Sequence, residues 1–203
     1  MSNGERMPLV KAQKIGEELI DELRDLCDQI QIAGSVRRKK ETVGDLEIVV
    51  QAGAARAFLA RLDQWVHSGR AKKGAAWGQK YRRIEIGGLK CDFFLADAAN
   101  WGYIYWLRTG PGDANMTAVT LLKHGAAPYR IEDGYFWAGI KKIAVVDEKT
   151  VFKLLGMPSV IPPAERTADK YRYYMRSRNW ANLDSLVYVK PDEKSDFVQG
   201  VLM

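Results

Sequence analysis

Residues 32–50 read IAGSVRRKKETVGDLEIVV, and the fold prediction depends on this stretch. It places Gly34 and Ser35 after an apolar run and before a basic turn that contains Arg37 and Arg38. Because Gly34 has no side chain, backbone amides there can approach a phosphate group closely. A helix that begins at Ser35 would add free N–H groups and a positive dipole end, and both arginines would donate charge-assisted hydrogen bonds. The stretch therefore predicts a phosphate-binding cradle.

The second half of the stretch carries Gly44, Asp45 and Glu47 at the start of another apolar run. In a β-strand, Asp45 and Glu47 lie two residues apart and project from the same face. Two carboxylates among apolar neighbours repel each other unless cations lie between them, and such oxygen ligands suit Mg²⁺ or Mn²⁺. We expect a metal site next to the phosphate cradle.

The composition is that of an ordinary globular protein, and its 203 residues suffice for one domain or two small subdomains. A net charge of +6 permits an anionic partner, nucleic acid first, although a modest basic excess can equally serve solubility. Cys27 and Cys91 lie in apolar segments, which predicts buried free thiols rather than a disulfide framework. Neither a signal peptide nor a bilayer-spanning apolar run is visible, so we expect a cytoplasmic, intracellular protein.

Apolar periodicity predicts the main helices and strands. Spacing of three and four residues predicts an amphipathic helix from Pro8, after a disordered start over residues 1–7. Two glycines between apolar runs predict a hairpin over residues 83–95. The other predicted elements are strands at 30–34 and 46–50, a helix at 54–66, a helix with Asp113 as N-cap, a hairpin at 129–137, and a capped helix at 147–155 stopped by Gly156. The end of the chain, from Asn182, is predicted to be a short strand at 186–189 or a loose tail.

Asp92 lies in the second strand of the first predicted hairpin, between Cys91 and Phe93. A buried aspartate needs a partner. If this strand lies beside the strand of Asp45 and Glu47, Asp92 becomes a third carboxylate of the metal site. The alternative is a structural aspartate that only makes hydrogen bonds.

A cluster of basic residues precedes and enters the same hairpin. Lys72 and Lys73 are expected in a glycine-containing loop, followed by Lys80, Arg82 and Arg83 on the approach to a strand. This cluster, together with Lys90 in the second strand of the hairpin, is the best candidate for contacts with a nucleic-acid backbone, and a solvated charged face is an equally weighted alternative.

The pattern Gly-Ser-x-Arg-Arg-x5-Gly-Asp-x-(Asp/Glu) resembles the palm signature of the family X DNA polymerases, the polymerase beta-like nucleotidyltransferases. The resemblance implies an α+β fold: a nucleotidyltransferase palm, with a mixed or antiparallel sheet and helices on one face, followed by a small α/β subdomain. It places Asp92 as the third catalytic carboxylate, preceded two residues earlier by a basic residue, here Lys90. Glu47 stands where polymerase beta itself has aspartate, which affects metal preference and fidelity.

Two later segments extend the resemblance. Thr109, Gly110 and Asn115 match positions at which the family binds the incoming nucleotide, whereas Leu107 and Arg108 replace an aromatic pair. That replacement predicts weak discrimination against ribonucleotides. The segment LLGMPSVIPPAER, at residues 154–166, resembles the end of bacterial family X polymerases.

The resemblance covers roughly residues 30–166 and implies a compact member without helix-hairpin-helix or lyase modules. We expect a palm over residues 1–99, a nucleotide-selecting subdomain over 100–166, and a C-terminal extension over 167–203. That extension begins TADKYRYYMRSRNW, in which aromatics interleaved with arginine could stack on bases, or Tyr173 and Tyr174 could dock a helix on the body.

As implied by the resemblance, Asp45 and Glu47 bridge two Mg²⁺ ions, with Mn²⁺ as an alternative, and Asp92 holds the ion that activates the primer 3′-OH. Ser35 and Arg38 hold the β- and γ-phosphates of a dNTP, supported by Arg37 and the Gly44 backbone. The implied function is a monomeric, minimal DNA-directed DNA polymerase for gap-filling repair or phage DNA metabolism. Two alternatives stay open: a template-independent nucleotidyltransferase acting on RNA, protein or a small molecule, and an inactive nucleic-acid-binding module.

Overall fold

Five strands form a mixed sheet that organises the first part of the chain. The computed structural model describes residues 6–124 and 127–189, and these fall into two units divided between Ala96 and Asp97. The elements of the first unit are β1 (Met7–Pro8), α1 (Leu9–Leu23), β2 (Cys27–Ile32), α2 (Gly34–Arg37), β3 (Thr42–Val43), β4 (Asp45–Ala52), α3 (Ala55–His67), β5 (Lys72–Trp77), β6 (Tyr81–Ile86) and β7 (Leu89–Ala96). The sheet order is β2-β4-β7-β6-β5, with β4 and β7 parallel and the other neighbours antiparallel, while β1 and β3 form a separate pair.

Alternation along β4 gives the sheet one apolar face and one face with carboxylates. Leu46, Ile48 and Val50 are fully buried in a core to which α1 and α3 also contribute. Asp45 and Glu47 occupy the intervening positions, so they project from the opposite face. We refer to that side as the carboxylate face. The apolar side supplies the stabilisation, which leaves the carboxylate face available for chemistry.

Among its described residues, the second unit combines four α-helices with a small antiparallel sheet. Its elements are α4 (Trp101–Thr109), α5 (Gly112–Lys123), β8 (Arg130–Glu132), β9 (Tyr135–Ala138), β10 (Lys141–Ile143), α6 (Glu148–Leu154) and α7 (Ala168–Arg176), with the strands in the order β10-β9-β8. Aromatic side chains fill its core, and the indole N–H of Trp106 donates to the Tyr171 hydroxyl at 3.0 Å. Large buried aromatics supply much of the apolar area of such a small core.

Arg166 explains why the segment at residues 154–166 closes the second unit. It is only 2% exposed, its Nη2 lies 2.9 Å from Glu148 Oε1, and its Nε donates to the Ile161 carbonyl at 3.0 Å. The guanidinium also lies over the Phe152 ring at 5.1 Å from the centroid. A buried charge with these partners ties the segment to α6.

The structure confirms most predicted elements. Gly87 and Gly88, both at positive φ, turn the first hairpin, and Asp133 and Gly134 do so in the second. The Asp147 carboxylate accepts the Thr150 N–H at 2.7 Å and caps α6.

Four local predictions were wrong. Lys72 and Lys73 lie in β5 rather than in a loop, and α5 starts at Gly112 with Pro111, not Asp113, as N-cap. Met7 pairs with Val43 in a short strand, while residues 1–5 of the expected disordered start lie outside the described residues. In place of a strand at 186–189 there is an isolated bridge between Tyr188 and Ile143, and the extension from 190 onward is likewise outside the described residues. In the part of the chain that the structure describes, no helix is both long and apolar enough to cross a bilayer.

Candidate active site

Three carboxylate residues share the carboxylate face of the sheet on adjacent strands. In the parallel pairing of β4 with β7, Glu47 lies opposite Asp92 and Asp45 lies opposite Lys90. Directly paired residues project from the same face, so Asp45, Glu47 and Asp92 lie on one surface. The neighbouring strand β6 then brings Arg83 opposite Asp92.

Arg83 binds Asp92 through both carboxylate oxygens. Its Nε donates to Oδ1 at 2.5 Å and its Nη2 to Oδ2 at 2.6 Å, and the Tyr81 hydroxyl donates to Oδ1 at 3.0 Å. Asp92 is only 3% exposed, whereas the Arg83 side chain is 32% exposed. The hydrogen bonds that Arg83 donates to Asp92 raise the pKa of Arg83 above its already high ordinary value. A bidentate pair of this kind satisfies the buried carboxylate in full.

Asp45 is less well compensated. Burial raises its pKa above the ordinary value for aspartate, and the negative charge of Asp92 adds to the rise. The positive charges of Arg83, Lys90 and Arg38 oppose that rise without cancelling it. Burial thus penalises the charged form of Asp45, and a bound cation would offset that penalty.

Gly34 is required by the Glu47 side chain. It adopts φ +61°, and a Cβ added there would overlap the Glu47 carboxylate. The backbone is also tied, because the Ala33 N–H donates to the Glu47 carbonyl at 2.8 Å. The sequence prediction attributed this glycine to phosphate approach, whereas its visible role is to make room for the Glu47 carboxylate.

Ser35 carries a buried polar group that fits an anionic ligand. Its hydroxyl oxygen is buried and has no hydrogen-bond partner within residues 6–124 and 127–189. A buried polar group without a partner is costly, and a phosphate oxygen would satisfy it. Because α2 is only four residues long, its dipole contributes little, so phosphate binding would rely on the Ser35 hydroxyl and on the half-buried Arg37 and Arg38.

The donor set fits a divalent cation, but the side chains as they lie do not enclose one. Carboxylates in register on one face are the hard ligands that Mg²⁺ or Mn²⁺ prefers. Among the described residues, however, no three histidine, cysteine, aspartate or glutamate side chains are gathered so that they could hold a metal ion. The Asp92 carboxylate binds Arg83 instead, so a metal ion at Asp92 would compete with this ion pair.

The basic cluster divides between the two faces of the sheet. Arg82 is 7% exposed and donates to the Leu59 carbonyl at 2.9 Å and to Asp63 at 2.8 Å. It is therefore a structural residue beneath α3, and we exclude it from the candidate nucleic-acid interface. The exposed members of the cluster are Lys72, Lys73, Lys80 and Lys90.

The predicted nucleotide-selecting residues are buried in the second unit. Thr109 and Gly110 are buried at the end of α4. Asn115 is 3% exposed and its amide donates to the Leu107 carbonyl at 2.7 Å, while its Oδ1 is buried without a partner in the described part of the chain. The visible role of Asn115 is to tie α5 to the end of α4; its contact with a nucleotide stays a prediction.

The sequence analysis missed the roles of Arg83 and Tyr81. The signal was present, because a strand places alternate residues on alternate faces. Tyr81 and Arg83 are two residues apart on β6 and therefore lie on the face of the sheet that carries Asp92, whereas Arg82 lies on the other face. Grouping Arg82 with Arg83 as one basic cluster concealed this difference.

The first unit is a mixed five-stranded sheet with α1 and α3 on one face and three carboxylates on the other, and a small α/β unit follows it along the chain. This is a polymerase beta-like fold. Among solved structures, the chain is similar to polymerase beta of Leishmania infantum in a ternary P/T complex, with a TM-score of 0.66 and 16% sequence identity. The match covers 80% of this chain and 77% of that chain. No family model and no curated protein matches the sequence. At this identity the likeness shows the fold alone.

Proposed function

We propose that the protein is a compact nucleotidyltransferase of the family X polymerase type, which adds dNMP from dNTP to a primer 3′-OH in gap-filling repair or phage DNA metabolism. The observation that carries the proposal is the register of Glu47 opposite Asp92, with Asp45 two residues away on the same face. The likeness in fold to polymerase beta of Leishmania infantum supports it.

Asp45, Glu47 and Asp92 would hold the divalent ions, which fits their oxygen donors and the raised pKa of Asp45. Bound there, Mg²⁺ or Mn²⁺ would lower the pKa of the attacking hydroxyl and neutralise charge on the triphosphate. The Ser35 hydroxyl and the Arg37 and Arg38 guanidinium groups would orient the phosphates, with the Gly44 backbone as support. Positioning and electrostatics of this kind supply most of the acceleration in phosphoryl-group chemistry.

The DNA would be held mainly through its phosphates. Lys72, Lys73, Lys80 and Lys90 are exposed, and contacts from such side chains make affinity fall steeply with salt. Thr109, Gly110 and Asn115 would contribute to nucleotide selection. Leu107 stands at the position that excludes the ribose 2′-OH in the family, so rNTPs should be incorporated with an efficiency similar to that of dNTPs.

Primer extension with Mg²⁺ or Mn²⁺ on gapped, recessed and single-stranded primers tests the proposal. We expect incorporation of the complementary dNTP, and a loss of about a hundredfold or more in Asp45→Ala and Asp92→Asn, equivalent to about 2.7 kcal/mol of barrier. Asp25→Ala is the matched control, since Asp25 is an exposed carboxylate on another segment.

The same assay separates the alternatives. Addition of any nucleotide without regard to a template would favour a template-independent nucleotidyltransferase. DNA binding without incorporation under every condition would contradict the proposal and leave an inactive binding module.

A further inference from the structure

The outward face of α7 presents an exposed aromatic side chain between two concavities. Tyr173 is 73% exposed. The concavities measure about 610 and 450 Å³, and Asp169, Tyr173 and Tyr174 line both. Each volume falls within the ~300–1,000 Å³ typical of small-molecule sites. None of these residues belongs to the candidate active site.

The opposite face of α7 fixes the helix in place. Tyr171 and Met175 are buried in the core of the second unit, and the Tyr171 hydroxyl accepts a hydrogen bond from Trp106. Thr167 caps the helix by accepting the Lys170 N–H at 3.2 Å. The sequence analysis considered docking through Tyr173 and Tyr174; Tyr171 and Met175 make the deep contacts instead, and Tyr174 is only half-buried. An anchored helix therefore holds the Tyr173 ring toward solvent.

Tyr173 and Tyr174 form a fixed aromatic pair. Their rings meet edge to face, with centroids 5.2 Å apart and planes at 78°. This contact supports the Tyr173 ring from one side and leaves the rest of it to the concavities. A supported, flat and exposed aromatic ring is what base stacking requires.

Basic side chains line the same two concavities as the Tyr173 ring: Arg172 and Arg176 line the larger one and Lys170 the smaller one. The Lys170 ammonium lies 3.3 Å from the Glu165 carboxylate, and the Arg172 guanidinium lies 2.6 Å from the Asp169 carboxylate. Exposed pairs of this kind are weak, so a phosphate can replace the carboxylate at little cost. Arg176 makes no ion pair with any carboxylate of the described residues, which leaves its charge available.

We propose that Tyr173, Tyr174, Lys170, Arg172 and Arg176, here named the Tyr173 surface, bind an unpaired nucleotide of a single-stranded nucleic acid. The base stacks on Tyr173, and Arg172 and Arg176 contact the flanking phosphates. An acidic peptide would satisfy the arginines but would leave the exposed ring without a flat partner, so the combination favours nucleic acid. The inference does not depend on nucleotidyl transfer, because binding alone is measured.

Fluorescence anisotropy with the full-length protein tests the proposal. The probes are a labelled single-stranded oligothymidylate of about twelve nucleotides and an abasic strand of equal length. We expect Tyr173→Ala to weaken binding of the oligothymidylate by about five- to a hundredfold, the range given by stacking of one base. Tyr173→Phe should retain the affinity, and Tyr173→Leu, which keeps apolar area without a flat ring, should behave like Tyr173→Ala.

The abasic strand separates stacking from charge. The affinity of the protein for the abasic strand should be low and should not change with the residue at position 173. Arg176→Ala should reduce the slope of log affinity against log salt concentration by about 0.7 for both strands. Arg24→Ala, at an exposed arginine on another segment, is the control for loss of charge. Thermal melting of every variant shows that the fold is retained.

Equal binding of the base-bearing and abasic strands by the wild type would overturn the proposal, as would wild-type affinity in Tyr173→Ala. Displacement of the oligothymidylate from the Tyr173 surface by polyglutamate of equal charge and at equal concentration would identify a general polyanion site and overturn it as well. None of these outcomes depends on whether the candidate active site is functional, since no nucleotide triphosphate is added.

Discussion

Arg83 holds both carboxylate oxygens of Asp92, at 2.5 and 2.6 Å, in the position where a metal ligand is expected. The two residues lie opposite each other on β6 and β7, so the contact is set by strand register. Without a metal ion, Arg83 supplies the positive charge that the buried carboxylate needs.

Replacement of Arg83 should therefore destabilise the metal-free protein and favour metal binding. We expect Arg83→Ala to lower the free energy of unfolding by about 2–3 kcal/mol. This is less than the usual cost of breaking a buried ion pair, because the arginine is partly exposed. Thermal melting in EDTA and across a Mn²⁺ titration measures both effects: the variant melts lower in EDTA and gains more from Mn²⁺ than the wild type. Lys72→Ala, which removes a weak exposed charge, should match the wild type. Identical Mn²⁺ responses in Arg83→Ala and wild type would contradict the role of Arg83.

Asp45 should make the metal-free protein less stable as the pH rises. Burial and Asp92 raise its pKa in the folded state, so between the unfolded and folded pKa values the folded state binds more protons. The free energy of unfolding is therefore highest below the unfolded pKa and falls as pH rises through the folded pKa. Asp45→Asn removes this loss, so its Tm in EDTA should exceed that of the wild type at about pH 7, with the difference shrinking near pH 3.5. A Tm difference that is constant with pH would refute the assignment.

Gly34→Ala should displace Glu47 and lower activity, in addition to straining the backbone. A methyl group at residue 34 overlaps the Glu47 carboxylate, whereas Gly69, at φ +75°, has no atom within 4 Å of an added Cβ. Gly34→Ala and Gly69→Ala should each lower the free energy of unfolding by about 1–2 kcal/mol, because alanine is strained in the left-handed backbone conformation. Only Gly34→Ala should reduce primer extension strongly, by about tenfold or more, equivalent to about 1.4 kcal/mol. Equal activities in the two variants would show that the Glu47 contact does not matter.

Substitution of Arg82 should change the stability of the protein, whereas substitution of an exposed lysine should change its affinity for DNA. Arg82→Ala leaves the Leu59 carbonyl without its buried donor and removes the ion pair with half-exposed Asp63, so we expect the free energy of unfolding, measured by chemical denaturation, to fall by about 1–3 kcal/mol. Lys80→Ala should leave stability unchanged and reduce the salt slope of DNA binding by about one phosphate contact. A Lys80→Ala variant with the wild-type salt slope would remove Lys80 from the interface.

Arg166 should be the main polar determinant of stability in the second unit. Arg166→Ala leaves the Glu148 carboxylate without its buried partner, with an expected cost of about 3–5 kcal/mol. Glu148→Gln should cost less, because the amide keeps the volume of the carboxylate and places a polar oxygen beside the guanidinium. Urea denaturation measures the free energy of unfolding of both variants. A larger decrease in Glu148→Gln than in Arg166→Ala would contradict the prediction.

Local patterns predicted the elements that matter for the carboxylates. The apolar alternation of β4 and the paired glycines at 87 and 88 were sufficient to place Asp45, Glu47 and Asp92 on strands, because those signals act over few residues. The fold class could be inferred because the Gly-Ser and Gly-Asp spacing matched a known signature.

Features that depend on tertiary context were not predictable in the same way. The sequence of β5, Lys-Lys-Gly-Ala-Ala-Trp, has little β-propensity, and the strand forms because it pairs with β6. The start of α5 was misplaced because Pro111, fixed in an extended conformation, ends the preceding segment before Asp113 is reached. The partner of Asp92 could not be assigned without knowing which strand lies beside β7.

The position of β4 and β7 within the sheet has a consequence for the rigidity of the site. Both are interior strands, flanked by β2 and β6, while β2 and β5 form the edges. Backbone amides around Glu47 and Asp92 should therefore be among the slowest in the first unit to exchange with deuterium, whereas local opening of the sheet begins at the edge strands β2 and β5. The groups that must hold fixed positions are carried by the part of the sheet that opens last.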